Sequence, residues 1–519
     1  MEPETNAIEK HLNDRGWRFL LVLSMCCAAY ALALHALQAR WYGGGAAGAP
    51  IAAGALANWG MRLYRDVWFG APPGTVWVSA LALAVKTSVW SVFALEWACA
   101  AACCLLIHRI ARGWNSAASS AGGAALFLAF SAWSMGMGTL GEKFHVLLFL
   151  CALHVLYARR ENAVRPGAPP APRAERLMRV FPWVLPGVAA FFGLSAVPVS
   201  LFLLAYLKPW KNGKGNPLAP AFLVMLPAAL FSVALLAVGD FGDFFDQVFR
   251  FGYYDYRARL SDNLYSFVED YETFLISAPL WGLAAAYGLK SGGTRASIFR
   301  AWLLAEVVRM AVFEGFSPGA VLRCAGPLAV LSAGAIENLS AAQGGRAANR
   351  AALAFITVLF AVSLGRMSVV LWTDPDYYRG GAVIPWWRDA AADAVRRTSG
   401  ENDRIYVWGD ESILYLYARR LPATKFITPQ PFTTPGYMSQ KQLRDFADTF
   451  DTAPPFLVVS DSMFPEIDAA PPETPAAAAL GIVRDAVREK YRLLSATGRL
   501  LVCMRRNGAG TPEPEDAGR

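Results

Sequence analysis

The sequence predicts an α-helical polytopic membrane protein with about eleven transmembrane helices, followed by an extracytoplasmic α/β domain at the C-terminal end. Of 519 residues, 55% are hydrophobic and 17% charged, against about 25% charged in soluble proteins. Mean hydropathy is +0.32, and several apolar runs reach the roughly 20 residues that cross a bilayer core. Basic residues recur between alternate pairs of runs, which orients the chain by the positive-inside rule.

Residues 1–18 are polar, and the apolar run at 19–38 ends in Gln38-Ala39-Arg40-Trp41, with no small-residue cleavage site. It is read as a retained first span rather than a signal peptide. Residues 73–88 are read as an interfacial helix starting at Pro72-Pro73, with Trp77 and Trp90 at headgroup level and Lys86 snorkelling. The basic clusters are Arg15/Arg18, Arg109/Arg112, Arg159 to Arg179, Lys208/Lys211/Lys214, Lys290/Arg295/Arg300 and Arg346/Arg350. Two crossings between successive clusters place spans at 19–38, 89–108, 117–137, 144–158, 180–193, 194–207, 217–238, 273–289, 299–313, 318–336 and 351–372. The pair at 180–207 is short and carries Pro182, Pro186, Gly193 and Pro198, which implies short or tilted helices.

Past Trp372 the composition turns polar. Residues 1–372 are expected to form the membrane domain, 373–506 the α/β domain, and 507–519 a disordered tail. Strands are predicted at 405–409, 425–427, 456–460 and 499–505, with helices at 412–420, 439–450 and 476–490, an alternation that suggests a partly parallel sheet.

Composition also excludes classes. The net charge of +8 belongs to span-orienting loops, so no nucleic acid is expected as partner. Seven of the eight cysteines lie in apolar runs and the five histidines are scattered, which argues against a disulfide framework or a structural zinc. The C-terminal part has neither phosphate-cradling glycine motif of nucleotide-binding domains.

Between the first apolar runs lies Gly60-Met61-Arg62-Leu63-Tyr64-Arg65-Asp66-Val67-Trp68, followed by Pro72-Pro73. This stretch, Gly138 to Glu142 ahead of an apolar run, and Ile405-Tyr406-Val407-Trp408-Gly409 with Leu414-Tyr415 resemble the GT-C membrane glycosyltransferases. That superfamily includes the protein O-mannosyltransferases and the lipid A aminoarabinose transferases. The resemblance implies a membrane body with an extracytoplasmic C-terminal domain. It also implies inverting sugar transfer from a polyprenyl-phosphate sugar to an exported glycan, glycolipid or protein acceptor among membrane lipids. The sequence departs from that pattern twice. Tyr42 to Pro50 carries no acid where the family has one, and Ala71 stands where many members have a lysine.

Such chemistry needs a base for the acceptor and cations for the leaving phosphate. The resemblance makes Glu142 the leading catalytic candidate; a first-turn carboxylate also simply suits a helix dipole. Asp66 is the second catalytic candidate, or it merely pairs with Arg65 to fold its loop. Arg62, Arg65, Lys143 and Arg323 are candidates for the donor phosphate, because a guanidinium presents paired donors to phosphate oxygens. Arg323 lies in an apolar run and needs an anion, either Glu314 or a lipid phosphate. Asp243, Asp246, Tyr253, Tyr254, Asp255 and Arg257 form a candidate substrate loop, whose tyrosines equally fit an ordinary interfacial belt. Glu306 and Arg309 stand three positions apart and pair on one helix face; Glu96 has no partner nearby in sequence. With no acid in Tyr42 to Pro50 a metal would have few ligands, so a divalent ion is disfavoured and no other cofactor is implied.

A noncatalytic GT-C-like glycolipid-binding or assembly protein is the alternative reading. A lipid-linked sugar transporter fits less well, because polar residues crowd toward one face rather than lining several spans. The topology gives a direct prediction: a reporter fused after Trp372 is active only in its extracytoplasmic form, and cytoplasmic activity would contradict the eleven-span reading.

Overall fold

A computed structural model describes residues 48–134, 138–164, 172–207, 218–259, 271–290, 294–314, 317–341, 386–409, 411–461, 475–497 and 500–506. The predicted spans 19–38 and 351–372, and the tail at 507–519, lie outside these residues. In chain order the elements open with α1 (Gly48–Asn58), α2 (Gly74–Val85), α3 (Val89–Arg112), α4 (Ala117–Trp133) and α5 (Leu140–Val164). Next come α6 (Pro172–Ala189), α7 (Ala196–Leu207) and α8 (Leu218–Val238). A composite helix follows as α9 (Phe241–Phe244), the π-helix π1 (Phe245–Arg250) and α10 (Phe251–Arg259). Then come α11 (Tyr271–Lys290), α12 (Thr294–Arg309), π2 (Met310–Glu314) and α13 (Pro318–Ala341). The C-terminal part holds α14 (Trp386–Thr398), β1 (Ile405–Trp408), α15 (Leu414–Ala418), α16 (Gln430–Thr433) and α17 (Gln440–Thr452). It closes with β2 (Leu457–Asp461), α18 (Pro475–Lys490), β3 (Tyr491–Thr497) and β4 (Leu500–Arg505).

The chain divides into two compact units. The first takes Ala71–Gly242 and Tyr256–Gly380 together with the N-terminal residues; the second takes Gly43–Gly70, Asp243–Asp255 and the chain from Gly381.

The first unit is helical. Among the described residues, four helices are long and apolar enough to cross a membrane: Val89–Arg112, Leu140–Tyr157, Leu218–Val238 and Pro318–Asn338. Shorter apolar helices lie at Gly74–Val85, Ala117–Ala132, Val180–Ala189 and Ala196–Leu207. The helix predicted from Pro73 begins there, since Pro73 is the residue before α2. A proline fits this place because it lacks the N–H that would otherwise go unbonded. The weak pair at 180–207 resolves into α6, with Pro182 and Pro186 inside it, and the short α7. Helix α13 is the hub, packing on α3, α4, α5, α11 and α12. Its apolar residues Val321, Leu322, Ala325, Leu328 and Ala329 are fully buried. Helix α8 is the opposite case: Phe222, Leu230, Val233 and Leu236 are each more than 60% exposed on a very apolar surface, as a lipid-facing helix requires.

Two buried carboxylates inside this unit are matched by cations or hydrogen-bond donors. Lys143 Nζ lies 2.5 Å from Glu96 Oε1, and both side chains are wholly buried. The Thr139 hydroxyl lies 3.1 Å from the same carboxylate oxygen and 3.0 Å from the ammonium. This answers the question Glu96 poses in the sequence. Glu306 receives Arg309 Nε at 2.7 Å, the predicted i,i+3 pair, and also meets His145 Nε2 and Trp302 Nε1 at 3.1 and 3.2 Å.

The second unit contains a four-stranded sheet of order β1-β2-β4-β3. β1 and β2 are parallel, pairing Ile405 with Leu457 and Val407 with Val459. β4 is antiparallel to both β2 and β3, pairing Val458 with Cys503 and Tyr491 with Arg505. Helix α17 starts at a capping box in which Ser439 and Gln442 bond one another's backbone N–H groups, an arrangement worth about 1 kcal/mol. It buries Leu443, Phe446 and Phe450, at i, i+3 and i+7. These residues, with Tyr406, Trp408, Phe426 and Phe432, build an aromatic core that also contains Trp68, Phe251 and Tyr437.

Two sequence expectations change here. No strand forms at 425–427, because the Lys425 carbonyl accepts the Trp68 backbone N–H at 2.7 Å instead of joining the sheet. Helix α14 and strand β3 form where the sequence suggested neither.

Breaking a buried ion pair costs about 3–5 kcal/mol, whereas replacing both members by apolar residues is close to neutral. Lys143→Met is therefore expected to lower the thermal unfolding temperature of the detergent-solubilised protein sharply, and adding Glu96→Leu should recover most of the loss. A double variant no more stable than the single one would contradict this role for the pair.

Candidate functional site

In the first unit four chain segments meet at the N-terminal end of α5. Glu142 sits in the first turn of α5, 3.5 Å from Arg323 Nη2 on α13, with side-chain exposures of 19% and 6%. Arg323 Nη1 donates to Ser195 Oγ at 3.1 Å, in the turn between α6 and α7. The start of α2 closes the group, since Gly74 N–H donates to the Phe191 carbonyl at 2.7 Å. Two glycines allow this approach. A Cβ on Gly141 would lie 2.5 Å from Thr75 Oγ1, and one on Gly193 would lie 2.8 Å from Arg323 Nη1. The result is a partly exposed carboxylate–guanidinium pair backed by an apolar body. A guanidinium so placed can turn its donors to a phosphate, and a carboxylate freed from it can accept a proton.

Glu142 is thus an anion for Arg323 that the sequence did not suggest; the side chain of Glu314 lies outside those described. Lys143 needs a correction. Its ammonium is fully buried against Glu96 and Thr139, so it faces the helix bundle rather than a ligand. One residue along α5, the side chains of successive residues point about 100° apart, and this separates Lys143 from Glu142. His145, also on α5, is spent on Glu306 and stacks on Phe149 at 4.7 Å between centroids.

The second unit holds the remaining candidates except Arg257, which belongs to the first. Asp66 closes its own turn: its Oδ2 accepts the Arg62 N–H at 2.9 Å, while its N–H donates to the Arg62 carbonyl at 2.8 Å. The sequence suggested Arg65 as the local partner of Asp66; the bond instead runs to the Arg62 backbone. Arg62 is half-buried and Arg65 is exposed at the tip of the turn. The stretch carrying Asp243, Asp246, Tyr253, Tyr254, Asp255 and Arg257 is helical through α9, π1 and α10, not a loop. A π-turn inside a helix shifts side-chain direction and is frequent at functional positions. Asp246, on π1, accepts from the Tyr437 hydroxyl at 2.8 Å and from Arg250 Nη1 at 2.7 Å. Tyr437 in turn accepts from Trp68 Nε1 at 3.1 Å. Burial pushes the Tyr437 phenol up from its ordinary pKa, which keeps it protonated as a donor; the hydrogen bond that Arg250 donates to Asp246 pushes the Arg250 pKa up as well. Arg250 lies over the Tyr254 and Tyr437 rings at 5.8 and 5.7 Å. Tyr253 and Arg257 are exposed, and Asp243, Tyr254 and Asp255 half-buried.

Sequence reasoning missed Ser195, Gln247 and Tyr437, and gave Trp68 no role beyond closing its motif. Gln247 left a trace, as the single amide in the run Phe244 to Phe251. Among the described residues no cluster of three His, Cys, Asp or Glu side chains is placed to hold a metal ion.

No protein-family model and no curated protein matches the chain. Solved structures do. ArnT from Cupriavidus metallidurans bound to undecaprenyl phosphate is 14% identical, with a TM-score of 0.59 over 96% of this chain and 99% of that one. The apo form of the same protein gives 14% identity and a TM-score of 0.54 over 94% and 98% of the two chains. The apo oligosaccharyltransferase of Archaeoglobus fulgidus gives 15% identity and a TM-score of 0.50 over 93% and 74%. These neighbours belong to the GT-C superfamily, and the fold of this chain is the GT-C fold.

Proposed function

We propose that this chain is a membrane glycosyltransferase, moving a sugar from a polyprenyl-phosphate donor to an exported glycan, glycolipid or protein at the outer face of the cytoplasmic membrane. The observation that carries the reading is the Glu142–Arg323 pair, held at the end of α5 and partly open. The likeness to ArnT, solved with undecaprenyl phosphate, supports the donor class. In this reading the phosphate takes Arg323 away from Glu142, and the carboxylate is released to work as base. Glu142 accepts the proton of the acceptor hydroxyl, whose oxygen attacks the anomeric carbon as the bond to the phosphate oxygen breaks. The electron pair leaves with the phosphate, and Arg323 holds the developing charge. The outcome is inversion.

Arg62 and Arg65 are assigned to donor phosphate recognition, and the stretch from Asp243 to Arg257 to substrate contact, with exposed Tyr253 offering a ring for a sugar face. Asp66 is assigned to shaping the turn that presents the arginines. Residues beyond 372 are assigned to the extracytoplasmic side, following the alternation of basic clusters. A noncatalytic glycolipid-binding role is the second reading, favoured by the acid-free stretch Tyr42 to Pro50.

General-base assistance is worth about 10²–10⁴-fold. Glu142→Gln is expected to reduce sugar transfer by that factor while the purified variant still binds undecaprenyl phosphate. Near-normal turnover of a polyprenyl-phosphate sugar would overturn the assignment; a wild-type protein that binds the lipid but transfers nothing would favour the second reading.

A further inference from the structure

The turn from Tyr64 to Phe69 is held by one side chain from far away in sequence. Gln247, on π1, is 1% exposed. Its Oε1 accepts the Phe69 N–H at 2.9 Å, and its Nε2 donates to the Tyr64 carbonyl. Both faces of a single amide are therefore used on the two ends of a six-residue stretch, as a staple closes a loop. The stretch needs closing. Tyr64 has φ of +72°, a left-handed conformation that bulky residues rarely adopt and that persists only where surroundings enforce it. Its N–H donates to the Val67 carbonyl at 2.8 Å inside the turn, and its ring packs edge-on to Phe244 at 5.1 Å. At the far side Trp68 is fixed through Tyr437 to Asp246, the residue before Gln247. Everything in this turn is anchored except its tip, where Arg65 is exposed.

We propose that Gln247 is a positioning residue for donor recognition: by stapling Tyr64 to Phe69 it fixes the direction in which Arg65 meets the donor phosphate. This rests on the glycosyltransferase reading above. An arginine on a fixed turn has lost its backbone freedom before the ligand arrives, so less ordering opposes binding. The same arginine on a loose turn keeps its charge and loses that advantage.

The test is a double-mutant cycle on the full-length protein in nanodiscs, with undecaprenyl phosphate as probe. Arg65→Ala is expected to weaken binding about tenfold, the scale of one charged hydrogen bond. Gln247→Met keeps the side-chain length and removes both hydrogen bonds; it should weaken binding about as much, with kcat at saturating donor within about twofold of wild type. The variant carrying both changes should bind no more weakly than Arg65→Ala alone. Gln247→Leu likewise removes both hydrogen bonds without burying a charge, should weaken binding about as Gln247→Met does, and serves if the methionine variant does not fold. Effects that multiply, or variants that melt earlier yet bind as wild type does, would reduce Gln247 to a structural residue and overturn the proposal alone. A wild-type protein that does not bind undecaprenyl phosphate would overturn the proposal together with the reading it rests on.

Discussion

Charge has to be matched inside an apolar helix bundle, and helix α5 is where this constraint organises the first unit. Within four consecutive positions it carries Glu142, Lys143 and His145, and each meets a partner on a different helix. Lys143 meets Glu96 on α3, His145 meets Glu306 on α12, and Glu142 meets Arg323 on α13. A lone charge at such depth is expensive, so sliding α5 against any of these helices would leave at least two groups uncompensated. The pairs are thus a register device as much as a source of stability. This is consistent with buried ion pairs, which add little net stability but are costly to break.

The same device separates fully buried from partly exposed charge along one turn of helix. Lys143 and His145 are fully buried and wholly committed to the bundle. Glu142 shares their turn but keeps 19% of its side chain exposed, and its partner sits 3.5 Å away, longer than a tight pair. Its guanidinium partner is the cation in this group that an incoming anion can compete for. The second unit applies a comparable logic with hydrogen bonds instead of ion pairs. Trp68, Tyr437, Asp246 and Arg250 form a chain in which each polar atom serves a neighbour, while Gln247 closes the turn beside it. The rigid part and the exposed arginine are again adjacent.

Much of the fold was legible where the signal is local. Apolar runs located the helices, Pro72-Pro73 marked the start of α2, and helical periodicity located α17. Glu306 and Arg309 announced their pair because i,i+3 neighbours share a helix face. What failed was long-range. Lys143 reads as a free cation beside Glu142 until Glu96, 47 positions earlier, is brought next to it. Arg323 meets Glu142, a carboxylate from a helix far earlier in the chain that nothing near Arg323 in sequence announces. Residues 425–427 have the composition of a strand and lose that form because their backbone is taken by Trp68. The acidic and aromatic stretch after Asp240 looked like a loop because nothing in its composition signals a helix whose polar residues are fastened to distant segments. In each case the missing information was the identity of a partner remote in sequence.

The account stands or falls on where a donor phosphate settles. The direct measurement is a phosphorus–nitrogen dipolar distance, by solid-state NMR, between undecaprenyl phosphate and the guanidinium of Arg323 in nitrogen-15-labelled protein in lipid bilayers. Paired N–H···O contacts place phosphorus about 4 Å from the guanidinium nitrogens, so strong dephasing is predicted at Arg323, and its loss in Arg323→Lys protein would assign the signal. Bound lipid with no dephasing at Arg323 would contradict the central claim.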